Sequence, residues 1–169
     1  LADIFSAVDG SVVASTGTDG LDFGAMLAHA RSVGGPNLRA MSFHARALMV
    51  KGLATAIMER KEELYALSAA TGATRTDSWI DIEGGAGTLF TMSSKARREL
   101  PDSTLLTDGD FEPIGRKGTF IGQHIYTSMQ GAAVHINAFN FPIWGMLEKL
   151  GPTLIAGVPA IVKPATQGA

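Results

Sequence analysis

Cysteine is absent from the 169 residues of this chain, which excludes disulfides and agrees with a cytoplasmic setting. Neither sign of charge is in excess: 14 Lys and Arg stand against 16 Asp and Glu, a net charge of −2. The basic clusters Lys95-Arg97-Arg98 and Arg116-Lys117 are short, so no electrostatic footprint for nucleic acid is present. No uninterrupted apolar run reaches the roughly 18 to 20 residues a membrane-spanning helix needs. The nearest, residues 141–162, contains Glu148, Lys149, Gly151 and Pro152, and no membrane partner is expected. The four histidines, His29, His44, His124 and His135, share no ligand spacing, so no metal site is expected. Internal repeats and a dividing linker are missing as well. What remains, 46% hydrophobic and 18% charged, describes one globular unit long enough for a core.

Residues 1–20 are rich in Ser, Thr, Gly and Val, with Asp9-Gly10 and Asp19-Gly20 as turn signals, and read as short edge strands. Helices are expected over 21–100. The first, 21–33, is expected to stop at Gly34-Gly35-Pro36. Ser42 is placed to cap a second, in which Ala45, Leu48, Met49, Leu53, Ala56 and Ile57 would form one apolar stripe. A third spans 62–71, with Gly72 as its stop. The fourth, 77–98, would present Trp79, Ile82, Ala86, Leu89 and Phe90 on one face, and Pro101 ends it. Gly84, Gly85 and Gly87 weaken that helix by roughly 1 kcal/mol each relative to alanine, and close approach of a neighbouring backbone is the expected compensation. The run Glu83–Gly87 lacks the spacing of a phosphate-binding loop and reads as packing. Asp77 and Asp81 read as a solvated carboxylate pair. Residues 107–115 are polar and turn-rich, residues 119–127 are β-branched and aromatic, and strands are expected there.

The most informative stretch is 132–166. An apolar run, 132–136, breaks at Asn137-Ala138-Phe139-Asn140; Pro142 opens a helix; Gly157 closes it before a second run, 158–162, that ends on Lys163-Pro164. This is a βαβ unit, and the fold class is α/β. Such crossovers make the two strands parallel, so Asn140 and Lys163 should open on one carboxyl edge, where parallel sheets bind ligands. By residue type alone, Asn140 is either a donor to developing negative charge or a turn asparagine at a helix start. Lys163 is either a phosphate or ribose partner or a strand end returning to water. His135 reads as a neutral strand histidine, and Trp144, Met146 and Leu147 as core.

Asn140-Phe141-Pro142 followed by Lys163-Pro164, with 163 − 140 = 23, resembles the aldehyde dehydrogenase superfamily. The phrases HINAFNFPIWGMLEKL, KPAT, YALSAATGATRTDSWIDIEGG and RRELPD resemble one branch of it in particular, and the likeness runs through nearly the whole chain. That branch is the aldehyde dehydrogenase half of bifunctional enzymes that open an oxepin–coenzyme A ring in phenylacetic acid degradation. The resemblance implies an incomplete Rossmann-like coenzyme domain over 1–169, an oligomerisation hairpin at 107–130, and a homo-oligomer built on dimers. The implied substrate is a coenzyme A-linked semialdehyde, oxidised to the acid.

Each candidate residue takes its role from that resemblance. Asn140 would hold the oxyanion. Ile136, Asn137, Ala138 and Phe139 would line the coenzyme side of the turn, and Lys163, Ala165 and Thr166 would receive its ribose or phosphate. Many relatives that use NAD carry a glutamate three residues after the lysine; the neutral Thr166 leaves Lys163 unopposed and favours NADP over NAD. Phe139 stands where most of the superfamily has tryptophan. The reaction needs a thiolate nucleophile, so the chain is expected to be an N-terminal fragment, inactive alone, whose cysteine and general-base glutamate lie in a missing remainder. The alternative reading is a non-catalytic assembly module without useful coenzyme binding.

Overall fold

Turn residues set the first element. In the computed structural model, which describes residues 1–166, β1 (Ala2–Phe5) pairs antiparallel with β2 (Val12–Thr16) around Gly10, whose φ of 72° is open only to glycine at low cost. This hairpin leans on the helical part through the Ala7 N–H, which donates to the Ala70 carbonyl at 2.8 Å.

Asp22 caps α1 (Phe23–His29) by accepting from the Ala25 N–H. The expected stop at Gly34-Gly35-Pro36 does not occur. The chain passes through a π turn (Ala30–Gly34) straight into α2 (Gly35–Ala40). Gly34 and Gly35 keep right-handed helical angles, and the Gly35 N–H reaches back to the Ala30 carbonyl. Pro36 then falls in the first turn of α2, directly after the π turn.

Ser42 caps α3 (Phe43–Glu59) as expected, accepting from the Ala45 N–H at 3.2 Å. α4 (Lys61–Ala69) ends ahead of Gly72 at φ 81°. α5 (Arg75–Glu99) starts at a reciprocal cap in which Thr74 accepts from Asp77 N–H and the Asp77 carboxylate accepts from Thr74 N–H. β3 (Leu106–Pro113) and β4 (Ile121–Tyr126) form an antiparallel hairpin with an irregularity between Asp108 and Glu112. β5 (Ala133–Ile136), α6 (Pro142–Ile155) and β6 (Ala160–Lys163) complete the chain, and β5 and β6 pair in parallel with Ile136 opposite Lys163. No helix among the described residues is long and apolar enough to cross a membrane.

The core lies where α3, α5 and α6 meet: Ala47, Val50 and Ala54 pack with Leu89, Ala96, Leu147 and Ile155. The face of α3 that is buried is not the expected one. Leu48 and Met49 are exposed, whereas Arg46, Ala47, Val50 and Ala54 point inward, flanked by Leu53 and Ile57. Small residues on both α3 and α5 let the two axes approach, and that fixes the rotation of α3. On α5, Ile82, Ala86 and Leu89 are buried as expected, but Trp79 is turned out to solvent.

Candidate functional site

The turn between β5 and α6 is where sequence and packing converge. β5 ends at Ile136, and the Asn137 N–H extends the pairing by donating to the Lys163 carbonyl at 3.0 Å. Because Ile136 is opposite Lys163, the segments 137–140 and 164–166 leave the sheet at the same edge. Ala138, Phe139 and Asn140 are exposed there, as are Lys163 and Thr166, with Ala165 half-buried. The Lys163 ammonium donates to its neighbour's Pro164 carbonyl at 2.9 Å, and the ion pairs among the described residues do not include it. The structure thus brings the two groups of candidate residues to one edge. Two cavities of about 330 and 300 Å³ lie elsewhere, the first lined by Tyr65 and Arg75, the second by Arg31 and Arg39.

Strand alternation divides the candidates. Val134 and Ile136 face outward, while His135 and Asn137 face α6 and are buried. Asn137 therefore presents no side chain at the exposed edge: its Oδ1 accepts from Lys149 Nζ at 3.1 Å, and its Nδ2 has no partner. His135 shares a hydrogen bond of 3.2 Å with Thr153 Oγ1. Burial, and secondarily the Lys149 charge, holds the His135 pKa below its ordinary value.

α6 begins without a capping side chain on its own segment. Phe141 adopts φ 53°, ψ 57°, Pro142 has no N–H, and the next two N–H groups are taken by Asp81 from α5. Asp81 Oδ1 accepts from Trp144 N at 2.7 Å and from Ile143 N at 3.1 Å, and Oδ2 accepts from Ile143 N at 3.3 Å. The expectation that Asp81 belongs to a solvated pair is therefore wrong, since it is 5% exposed and serves as the cap of another helix. A carboxylate suits this position because the helix dipole places partial positive charge there. Burial nonetheless raises its pKa, against the two N–H bonds that pull it down. Asp77 does remain at the surface, occupied by the cap of its own helix.

The glycines of α5 make this contact possible. A Cβ at Gly85 would sit 3.0 Å from Trp144 Cα, and one at Gly84 would sit 3.2 Å from the Trp144 ring. The packing reading of residues 83–87 holds at both positions, and the neighbouring backbone is that of α6. Gly87 meets nothing within 4 Å.

Sequence reasoning missed a second buried charge. The Arg46 guanidinium, fully buried, donates to Ile155 O at 2.7 Å, Met41 O at 2.8 Å and Leu38 O at 3.0 Å, and stacks 4.5 Å from the Phe43 ring centre. Its signal was available: one arginine on a helix face otherwise built of Ala and Val.

The sequence model of the aldehyde dehydrogenase family matches residues 3–169, and the chain belongs to that family. It is 36% identical over 168 residues to the 3,4-dehydroadipyl-CoA semialdehyde dehydrogenase of Aromatoleum evansii, covering 98% of this chain and 32% of that protein. The chain thus spans about a third of that relative's length. In fold it is similar to the glyceraldehyde-3-phosphate dehydrogenase of Methanocaldococcus jannaschii solved with NADP, at a TM-score of 0.70 and 17% identity over 98% of this chain and 34% of that one. It is similar also to PnpE solved with nicotinamide adenine dinucleotide, at a TM-score of 0.67 and 24% identity over 95% of this chain and 31% of that one.

Proposed function

We propose that this segment forms part of the coenzyme-binding half of an aldehyde dehydrogenase that oxidises a coenzyme A-linked semialdehyde to its acid, with NADP, in the catabolism of phenylacetate. The observation that carries the reading is the parallel register of Ile136 with Lys163, which brings the asparagine turn and the lysine to one exposed edge. Similarity to a coenzyme A semialdehyde dehydrogenase supports the substrate class.

The residues at the edge suit NADP. Lys163 has three donors, no carboxylate partner among the described residues, and a single bond to a neighbouring carbonyl, so its ammonium is available to a phosphate. Thr166 adds no charge that would repel a 2′-phosphate. The first-turn N–H groups of α6 are occupied by Asp81, so the anion falls to Lys163 and not to the helix end. Phe139, 67% exposed, offers an aromatic face beside them. Lys163 would hold the coenzyme, which would supply the hydride acceptor for the reacting carbon. Asn140 donates its amide to the oxygen that becomes negative, a contribution of about 2.7–4 kcal/mol for a preorganised donor. With no cysteine among its 169 residues, the segment supplies the oxyanion donor and coenzyme contacts while nucleophile and general base come from elsewhere in the polypeptide. The enzyme works in the cytoplasm.

Turnover of the full-length polypeptide tests both assignments. Asn140→Ala should lower kcat by roughly 10²–10³-fold. Thr166→Glu should move coenzyme preference from NADP toward NAD. An unchanged kcat or an unchanged preference would overturn the corresponding role.

A second reading, favoured by the exposed Phe111, Ile114, Phe120, Ile121, Ile125 and Tyr126 of the β3–β4 region, is that the segment chiefly builds a homo-oligomer from dimers. A thermal shift with NADP that Lys163→Ala abolishes would argue for coenzyme binding. No shift, with dimers lost on hairpin substitution, would argue for assembly alone.

A further inference from the structure

The asparagine turn is held in a conformation that its own sequence disfavours. Phe141 precedes a proline, which biases a residue toward extended geometry. It lies instead in the left-handed region, at φ 53° and ψ 57°, and it is the one non-glycine residue with positive φ among the described residues. That conformation costs an L-residue roughly 1–2 kcal/mol and persists only where surroundings impose it. Nothing on the turn itself does so, because α6 has no side-chain cap of its own.

The constraint comes from α5. Asp81 lies 62 residues before Ile143 and grips the first two N–H groups that α6 has to offer. Gly84 and Gly85 seat Trp144 directly against α5, and the Trp144 ring meets Phe141 edge-on, with centroids 6.4 Å apart. We infer that Asp81 is the positioning residue for Asn140: by anchoring the first turn of α6 across the α5–α6 contact, it holds Phe141 left-handed and so fixes the direction of the asparagine one residue earlier. Released from Asp81, the first turn frays, Phe141 relaxes to the extended geometry that Pro142 favours, and Asn140 swings with it. The effect on turnover rests on the oxyanion role proposed above for Asn140; the geometric claim does not.

The test uses the full-length polypeptide with Asp81→Ala, Asp81→Asn, Asn140→Ala and the double variant Asp81→Ala/Asn140→Ala. A displacement of about 1 Å at a reacting group can cost roughly 10²-fold, so Asp81→Ala should lower kcat by about tenfold to a hundredfold while the coenzyme KM stays within about twofold. Asp81→Asn keeps an oxygen able to accept both N–H groups and should retain most of kcat. The double variant should be no slower than Asn140→Ala, since one substitution acts through the other. A crystal structure of Asp81→Ala should show Phe141 outside the left-handed region. Losses that multiply, or a crystal structure with Phe141 and Asn140 unmoved, overturn the inference. If Asn140→Ala leaves kcat intact, the oxyanion reading fails and the crystal structure alone decides the positioning. Should Asp81→Ala fail to fold, Asp81→Glu keeps the charge and displaces the acceptor by one methylene; wild-type kcat in that variant overturns the inference.

Discussion

The α3–α5–α6 packing and the β3–β4 hairpin use the same apolar residue types in opposite ways. In the helical part Val50, Ile82, Leu89 and Leu147 are less than 2% exposed. In the hairpin Phe111, Phe120 and Ile125 are 64%, 62% and 53% exposed. Composition does not separate the two regions; partners do. Ala47, Ala54, Gly85 and Ala86 let three helices close on one another within this chain, whereas a two-stranded ribbon has two free faces and gains little from its own side chains. The α3–α5–α6 core is closed within this chain, although Leu48, Met49 and Trp79 lie outside it, and the hairpin is apolar surface without cover among the described residues.

That contrast can be broken or sharpened by substitution. The largest loss is expected from Arg46→Met, which leaves the carbonyls of Met41 and Ile155 unpaired at about 1–3 kcal/mol each, while the Leu38 carbonyl keeps the Met41 N–H as a donor. Urea unfolding should show a fall of about 2 kcal/mol or more, and a near-neutral result would remove the guanidinium from the account of the core. Gly85→Ala should cost about 1–3 kcal/mol by overpacking against Trp144, measured by the same midpoint with an unchanged slope. A smaller, pH-dependent effect belongs to His135. Its folded pKa lies below 6.5, so the stability it contributes is present above that pH and is lost as pH falls through the lower folded value. Unfolding midpoints compared between pH 7.5 and pH 5 should show this fall, and His135→Gln should flatten it. The smallest effect, within about 0.5 kcal/mol, is expected for Phe111→Ser. A loss as large as that of Gly85→Ala would mean that the hairpin is packed after all.

The βαβ unit was legible because its punctuation is chemical: Pro142 opens the helix, Gly157 at φ 81° closes it, and two apolar runs flank them. The cap at Ser42 is a local signal of the same kind, whereas the cap at Thr74 was passed over and α5 starts at Arg75, ahead of the expected 77. That Asn140 and Lys163 share an edge followed from the parallel crossover. The inward turn of Asn137 was also within reach, since alternation along β5 cannot send both Ile136 and Asn137 to one side. What sequence could not give was any interaction set by distant segments. The cap that Asp81 provides acts across 62 residues, and the buried face of α3 was chosen by the small residues of its neighbours and not by its own leucine and methionine. The π turn after α1 escaped because two glycines and a proline look like a stop whenever a wider helical turn is not considered.

Arg46 has a consequence in solution. Its guanidinium meets carbonyls near the C-terminal ends of α2 and α6, the negative ends of two helix dipoles, and it does so away from water. Dissolved ions reach exposed pairs such as Arg60–Glu63 but not this junction. Raising ionic strength should therefore loosen the protein's periphery first, while the knot joining α2, α3 and α6 keeps its hold in brine.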